Sequence, residues 1–546
     1  MQQPASPSPE PLPNQFHRVI HSYAPSISGN ARGHQPIDPP DRPPRLWDRW
    51  WHAALALAAV VLLCGWWPAP VQAAMDVAKQ VLIGADFSGQ DLRGATFNLT
   101  NLRDATFAGS DLEGASLFGA KLQDADMSNT NLRDATLDSA VFDGTNLTNA
   151  NLTGATLSSA RFFQTNFTGA NLTGATVTDA DLNSANLTGA NGTNTNFTNS
   201  NMPNATISNS TLTGATLTGV NLSGINSGGI IGTPAALPTN WSLISGYLFG
   251  PGMSLTNANL SGFNLSGANL SGANLTNDNL AGTNLTGTDL SNVNLTGVSS
   301  GLIVGTPVTF PTNWRLANGY LVGPNANLSG ADLSNANLVN AQLQGSNLVG
   351  ANLSGAVLTN ANVSSSNLSY STMSSTTVNV GTNYTYSSFD YAHLSGADLS
   401  GKNFYRGSLN HADLTGANIS YSSFSGTSMV QVNLAGATAV GAYFGWDGAT
   451  GYCCWGGANA ATEGANMSGA IMTGVNLLSA GLPGTNLANA DLTGANLTSA
   501  TLYSTGCYGP CWNWFARAAN FQNVNLTNAN LTNANMTSVN MTGVTY

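Results

Sequence analysis

Charge is scarce in this chain. Of 546 residues only 8% are Asp, Glu, Lys or Arg, against about 25% in an ordinary soluble domain. The 15 Lys and Arg face 26 Asp and Glu, for a formal net charge of -11, and no basic cluster gathers to hold nucleic-acid phosphates. Histidine is as thin, and His393 and His411 lie 18 residues apart, out of step with the twenty-residue stacking distance derived below. No Ser-His-Asp set or carboxylate pair accompanies them, so catalysis finds no support and each reads as an exposed, solvated side chain. No cofactor or metal site is expected. Long apolar runs are missing too; the one candidate, 53–67, falls short of the roughly 20 residues that a membrane span needs.

The first 45 residues are rich in Pro, Ser and Gln with few large apolar side chains, so they cannot bury a core and are expected to be disordered. Residues 46–74 then place Arg49 before the apolar run and small residues, Val71 and Ala73, after it. That order is the pattern of a secretory signal peptide cleaved near Ala73 or Ala74, the alternative being an uncleaved membrane anchor through 50–67. Export predicts a destination in the periplasm, thylakoid lumen or cell surface.

What the chain has instead is a period of five. Stepping in fives from position 87 to 222, 27 of 28 positions are Leu, Phe, Met, Ile or Val, Gly192 being the exception. Two residues earlier the position is Ala 18 times, otherwise Ser, Thr or Val apart from Gln90. Five matches neither the helical period of 3.6 nor the strand period of 2. The chain must therefore turn once per unit, with one large and one small residue inward and Asn, Asp, Ser and Gly at the turns. The register recurs through 255–295, 328–444 (with a one-residue slip near Asn383), 467–502 and 521–546, giving 75 units.

The A-(D/N)-L-x-x unit, as in Ala150-Asn151-Leu152-Thr153-Gly154, resembles the pentapeptide-repeat family over roughly residues 82–546. The resemblance implies an all-β fold, a right-handed quadrilateral β-helix with four units per coil. On that reading there are about 19 coils, a solenoid on the order of 90 Å long at ~4.8 Å per coil. Residues four units apart then stack, so Arg93 is expected over Glu113, and Asp91 over Asp111 as a like-charge pair. Met75 to Leu82 is read as a short capping helix. The C-terminal coil ends in full register, which implies an end-to-end homodimer, as in some members of the family. The lead-in after the signal segment resembles the lumenal or periplasmic branch of the family.

Four segments interrupt the solenoid blocks 75–222, 255–295, 328–444, 467–502 and 521–546. Loop insertions 223–254 and 296–327 share Gly-Thr-Pro, Pro-Thr-Asn-Trp and Gly-Tyr-Leu at matching spacings, and read as copies of one lateral flap closed by Trp241 and Trp314. Loops 445–466 and 503–520 hold Cys453, Cys454, Cys507 and Cys511, expected to form disulfides after export. The same loops carry Trp446, Trp455, Trp512 and Trp514, the best candidate contacts for a protein or glycan partner, or else a satellite apolar cluster.

The leading functional reading is a non-enzymatic, exported scaffold that presents a rigid solenoid surface. One alternative is a lattice-binding (ice-binding-like) or carbohydrate-binding surface protein. Inhibition of a DNA enzyme by charge mimicry, a role the family resemblance brings with it, is opposed by export and by the sparse charge.

Overall fold

The computed structural model describes residues 75–374, 376, 382–445, 464–505 and 516–546. Within them the chain winds into four-sided coils. Away from the insertions, units bridge in parallel to the unit one coil further on, from Asp76 with Thr96 through to Asn525 with Thr545, and the step lengthens where residues are inserted.

One unit shows why these residues close a square. The Asn151 N–H reaches back to the Thr130 carbonyl at 2.9 Å, and the Leu152 N–H forward to Asn171 at 2.7 Å. The Gly154 N–H also reaches forward, to Thr173, and Ala155 closes the turn on Leu152. That leaves Thr153, whose N–H goes to the Asn151 side chain at 3.3 Å. Every donor of the unit is thereby used, and the fifth requires a short side-chain acceptor just before the large residue, which is why Asn and Asp recur there. The turn's second residue takes a left-handed backbone (Gly154 φ 69, Asn149 φ 56) that Gly and Asn adopt at little cost.

The large residues fill the interior. Phe404, Phe424 and Phe444 stack at 4.9 and 5.0 Å with planes within 9°. Most Thr and Ser that replace Ala in the small inward slot donate to a carbonyl of the preceding coil, as Thr145 does to Leu122 at 2.6 Å, and some to their own unit, as Ser110 does to Phe107 at 2.8 Å, while the buried Ser371 hydroxyl has no partner among the described residues.

Three expectations change. Residues 75–82 form no capping helix: Asp76 and Val81 bridge Thr96 and Asn101, because Val77 and Leu82 already carry the five-residue register. Arg93 does stack over Glu113 through the backbone, Gly94 N–H to Glu113 carbonyl at 2.9 Å. Its side chain, however, turns to Asp91 at 2.6 Å and reaches Asp111 at 3.7 Å. Alternate residues on one side lie next to each other, so the guanidinium sits between both carboxylates of the like-charge stack and relieves their repulsion.

The excess chain in the first two insertions is short. Asn226, Ile231 and Ala236 still bridge Thr206, Thr211 and Thr216, so most of 223–254 is a coil without the consensus. Ser299 bridges Asn327 where an uninterrupted coil would bring round position 319, and the excess of eight is a hairpin. In the first copy β1 (Ser242–Ile244) pairs antiparallel with β2 (Tyr247–Phe249); in the second β3 (Arg315–Ala317) pairs with β4 (Tyr320–Val322). Trp241 lies flat on Gly250, and Trp314 on Gly323. Between equivalent points such as Tyr247 and Tyr320, the chain less one such excess runs three coils plus one side, so the two hairpins leave adjacent sides.

Candidate functional site

The left-handed turn position is where the coil departs most from its own rule. Bulky side chains pay for that backbone. Among the described residues the aromatic and imidazole side chains that accept it are Tyr370, Tyr386, Tyr391, His411 and Tyr421, with φ between 57° and 61°. All fall in one stretch of three coils, joined there by Arg406 at φ 53°. Strained positions of this kind cluster where a surface is used.

Two neighbouring corners carry most of them. On one, Tyr370, Tyr391 and His411 form a ladder with ring centroids 5.0 and 4.7 Å apart and planes within 9°. His411 is exposed, but its ring rests on Tyr391 instead of standing free in solvent; His393 lies on the next side, bridged to Asp413. On the other corner Tyr386 meets Tyr405 edge-on at 5.9 Å, and the Arg406 guanidinium lies 5.2 Å over the Tyr405 ring. The tyrosines are open to solvent, Tyr386 by 54% and Tyr391 by 44%. Between the corners runs a polar strip. The Asp390 carboxylate accepts from the Ser408 hydroxyl and from the Asn410 N–H at 2.8 Å, and Asn410 in turn accepts from the Val430 N–H at 2.9 Å.

The insertions converge on the same region. Asn383, Asn403, Ser423, Tyr443, Gly481 and Thr501 form one bridged column. The third insertion follows Tyr443 and the fourth follows Thr501, so both leave the corner that bears Tyr386 and Arg406, two coils apart. β5 (Tyr503–Thr505) and β6 (Ala516–Ala518) pair as the stem of the fourth. The β3–β4 hairpin takes the place of this side between Asn294 and Gln342, since its flanks Thr309 and Asn327 bridge Asp289 and Ser299. Three of the four insertions thus interrupt one column, and β1–β2 the adjacent one. Cys453, Cys454, Cys507, Cys511, Trp446, Trp455, Trp512 and Trp514 lie outside the described residues; their anchors are what the structure places.

Comparison with known proteins follows this geometry. A model of pentapeptide repeats matches residues 81–119, 193–226, 254–292, 279–299, 324–350, 336–374, 387–426, 408–445, 479–505 and 517–545. A second, of a pentapeptide repeat region, matches 120–192. The chain belongs to the pentapeptide-repeat family. Its coils are those of the family's right-handed quadrilateral β-helix, and pentapeptide-repeat proteins are in general structural or interaction proteins, not enzymes.

Among solved pentapeptide-repeat structures, HetL, involved in heterocyst differentiation in the cyanobacterium Nostoc, is 24% identical over 54% of this chain and 87% of its own, with a TM-score of 0.17. A protein of the Arabidopsis thaliana thylakoid lumen is 47% identical over 19% of this chain and 69% of its own, at 0.15. QnrB1, a plasmid-mediated fluoroquinolone resistance protein, is 18% identical over 41% of this chain and 91% of its own, at 0.16. No curated protein matches.

The pentapeptide-repeat matches pass over 227–253 and 300–323, where the two hairpins depart from the consensus. Among the described residues no group of three or more His, Cys, Asp and Glu could hold a metal ion, and no helix is long and apolar enough to cross a membrane. Sequence reasoning missed the tyrosine corners. The signal was present as aromatics at a position held mostly by Gly, Asn, Asp and Ser, but the one-residue slip falls between Tyr370 and Tyr391 and hides their alignment.

Proposed function

We propose that this pentapeptide-repeat protein is a non-enzymatic scaffold that binds a partner through the two solenoid sides that meet at the Tyr386 and Arg406 corner, the column from Asn383 to Thr501 and the neighbouring column of Ser388, Ser408 and Ser428. The observation that carries this is that strained, exposed Tyr386 and Arg406 stand at the corner where the third and fourth insertions leave, with Tyr421 at the corner before it and Tyr391 and His411 at the corner after it. In repeat proteins insertions that collect on one face commonly mark the binding face, and Tyr and Arg are the side chains that supply binding energy. The insertions whose sequences carry the Trp and Cys residues are anchored at the same edge, after Tyr443 and Thr501.

The reading includes export, supported by Arg49, the apolar run 53–67 and the small residues Val71 and Ala73. Lattice binding finds less support. The Thr148 hydroxyl donates to Asn146 at 2.6 Å and accepts from Asn166 at 3.0 Å, and the Thr168 and Thr173 hydroxyls likewise donate within their own unit, so these ranks are engaged inside the protein.

Affinity capture tests the proposal. Full-length wild type, the Tyr386→Ala/Tyr391→Ala variant and an Arg103→Ala control, all of equal melting temperature, are challenged with exported and cytoplasmic fractions of expressing cells. Capture lost only in the tyrosine variant, and from the exported fraction, is the expected result. Equal capture by all three sinks the assignment of these sides.

A further inference from the structure

A second surface lies at the start of the solenoid, apart from the tyrosine corners. We infer that one side of the first three coils rests on the surface of a lipid bilayer.

Val81, Ile83, Leu99, Phe118 and Phe163 are the large apolar side chains exposed within 75–230. All five lie in the bridged column of Val81, Asn101, Lys121, Val141 and Arg161 or at the two corners that flank it; the other three columns and the two remaining corners of this block expose none. Four of the five crowd into three successive coils. Leu99 holds a left-handed backbone (φ 57), which disfavours a branched side chain. Its Cδ2 lies over Gly119, where a Cβ would sit 2.7 Å away. The Asn98 side chain accepts from the Phe118 N–H at 2.9 Å and from the Ser116 hydroxyl at 2.6 Å, which fixes Phe118 beside Leu99. Val81 is 68% exposed, Leu99 52%, Ile83 47% and Phe118 46%, so these groups protrude from the wall instead of lining a hollow.

Each of the three coils adds one exposed cation to this side, Lys79, Arg103 and Lys121 in turn. None takes a salt bridge among the described residues, whereas Arg93, Arg133 and Arg161 each hold one. Asp104 and Asp124 stand at the far corner, so the side keeps a small positive excess.

Protruding aliphatic and phenyl groups interspersed with cations suit the headgroup layer of a bilayer, where the apolar tips reach the acyl boundary and the long cationic stems turn back to the phosphates. A protein interface draws instead on Tyr, Trp and Arg around a dehydrated centre, and a nucleic acid would leave the apolar groups unused. Position in the chain points the same way. The apolar run 53–67 ends eight residues before Met75, and eight residues reach at most about 30 Å. As signal or as anchor, that run brings the first coils to a bilayer, and this side keeps them there.

Hydrophobic photolabelling tests the contact. The full chain is mixed with vesicles of phosphatidylcholine and phosphatidylglycerol that carry a lipid-soluble diazirine, irradiated and digested with trypsin. The digest separates 80–93, 94–103 and 104–121, which hold Val81 with Ile83, Leu99 and Phe118, from the apolar run in 50–79 and from 134–161, which holds none of the five. Vesicle-dependent labelling of the first three peptides, with 134–161 nearly clean, is the expected result. In a Leu99→Ser/Phe118→Ser variant of unchanged melting temperature, labelling of 80–93 should fall by about tenfold or more while that of 50–79 persists. Labelling confined to 50–79, labelling spread evenly into 134–161, or undiminished labelling of 80–93 in the variant overturns the inference. So does a wild-type dimer, seen by sedimentation without vesicles and abolished in the variant, because the side then belongs to a second copy of the chain.

Discussion

The carboxylate of Asp278 accepts a hydrogen bond from the Ala258 N–H, one coil away, at 2.8 Å. It occupies the small inward slot that Ala, Ser or Thr fills in most units; it is fully buried, and its second oxygen has no partner among the described residues. Burial pushes its pKa up to about 7, the Ala258 bond offsetting part of the effect. The unfolded chain releases this proton near the ordinary 3.8 while the folded coil holds it, so stability falls as pH rises from about 4 to 7 and is level above. The loss at alkaline pH is at most about 4 kcal/mol. Asp278→Asn, which keeps the acceptor and removes the charge, is expected to flatten this part of the profile. Thermal melts at pH 5 and 8.5 check it; equal pH dependence in both proteins excludes a buried ionising Asp278.

Gly192 leaves the core one large side chain short. Its N–H still bonds the Thr211 carbonyl at 2.7 Å, and a small cavity opens beside it among Leu187, Phe197, Met202 and Leu212. The space has partly closed, for an added Cβ would lie 3.2 Å from the Leu212 Cδ2. Gly192→Ala is therefore expected to stabilise by roughly 0.5–1 kcal/mol, largely by restricting the unfolded chain, once the Leu212 methyl shifts. Gly192→Leu, which restores the consensus, is expected to cost roughly 1–3 kcal/mol from overpacking. Denaturant melts of the two variants decide whether the neighbours have relaxed into the gap.

The hairpins depend on two glycines for a reason of space alone. A Cβ on Gly323 would sit 2.2 Å from the Trp314 ring, as one on Gly250 would from Trp241. Gly323→Ala must then displace the indole from the solenoid wall. The expected readout is a red shift of tryptophan emission and faster proteolysis within 311–323, with the coils on either side intact. Unchanged cleavage at that hairpin would mean that the ring does not hold it down.

The period of five was sufficient for the coil, because each side repeats one hydrogen-bond pattern and the inward positions are read directly from Leu152 or Ala155. It misled where a side loses its consensus residue but keeps its backbone. Ile231 and Ala236 complete a coil that looked like loop, which made a short hairpin appear several times longer. Side-chain partners were less legible than stacking: Arg93 and Glu113 share a column, yet Asp91 is closer along the same side. The tyrosine corners were illegible because the turn position is variable by nature, and only φ shows which occupants are strained there.

The cysteines test export and geometry together. Cys453 and Cys454 belong to the third insertion, Cys507 and Cys511 to the fourth, and the anchors Tyr443 and Thr501 stand in one column with Gly481 between them. The insertions therefore start roughly 10 Å apart. Neighbouring cysteines are poorly placed to bridge each other, since consecutive Cα atoms are about 3.8 Å apart and a disulfide prefers about 5.5 Å. We expect Cys453 and Cys454 to pair with Cys507 and Cys511, tying coils already in register and adding about 4 kcal/mol against unfolding. A non-reducing peptide map should join the two insertions, and reductant should lower the melting temperature without loosening the first block. Four alkylatable thiols in protein purified without reductant would remove the oxidising compartment from the argument, because disulfides form and persist in such a compartment.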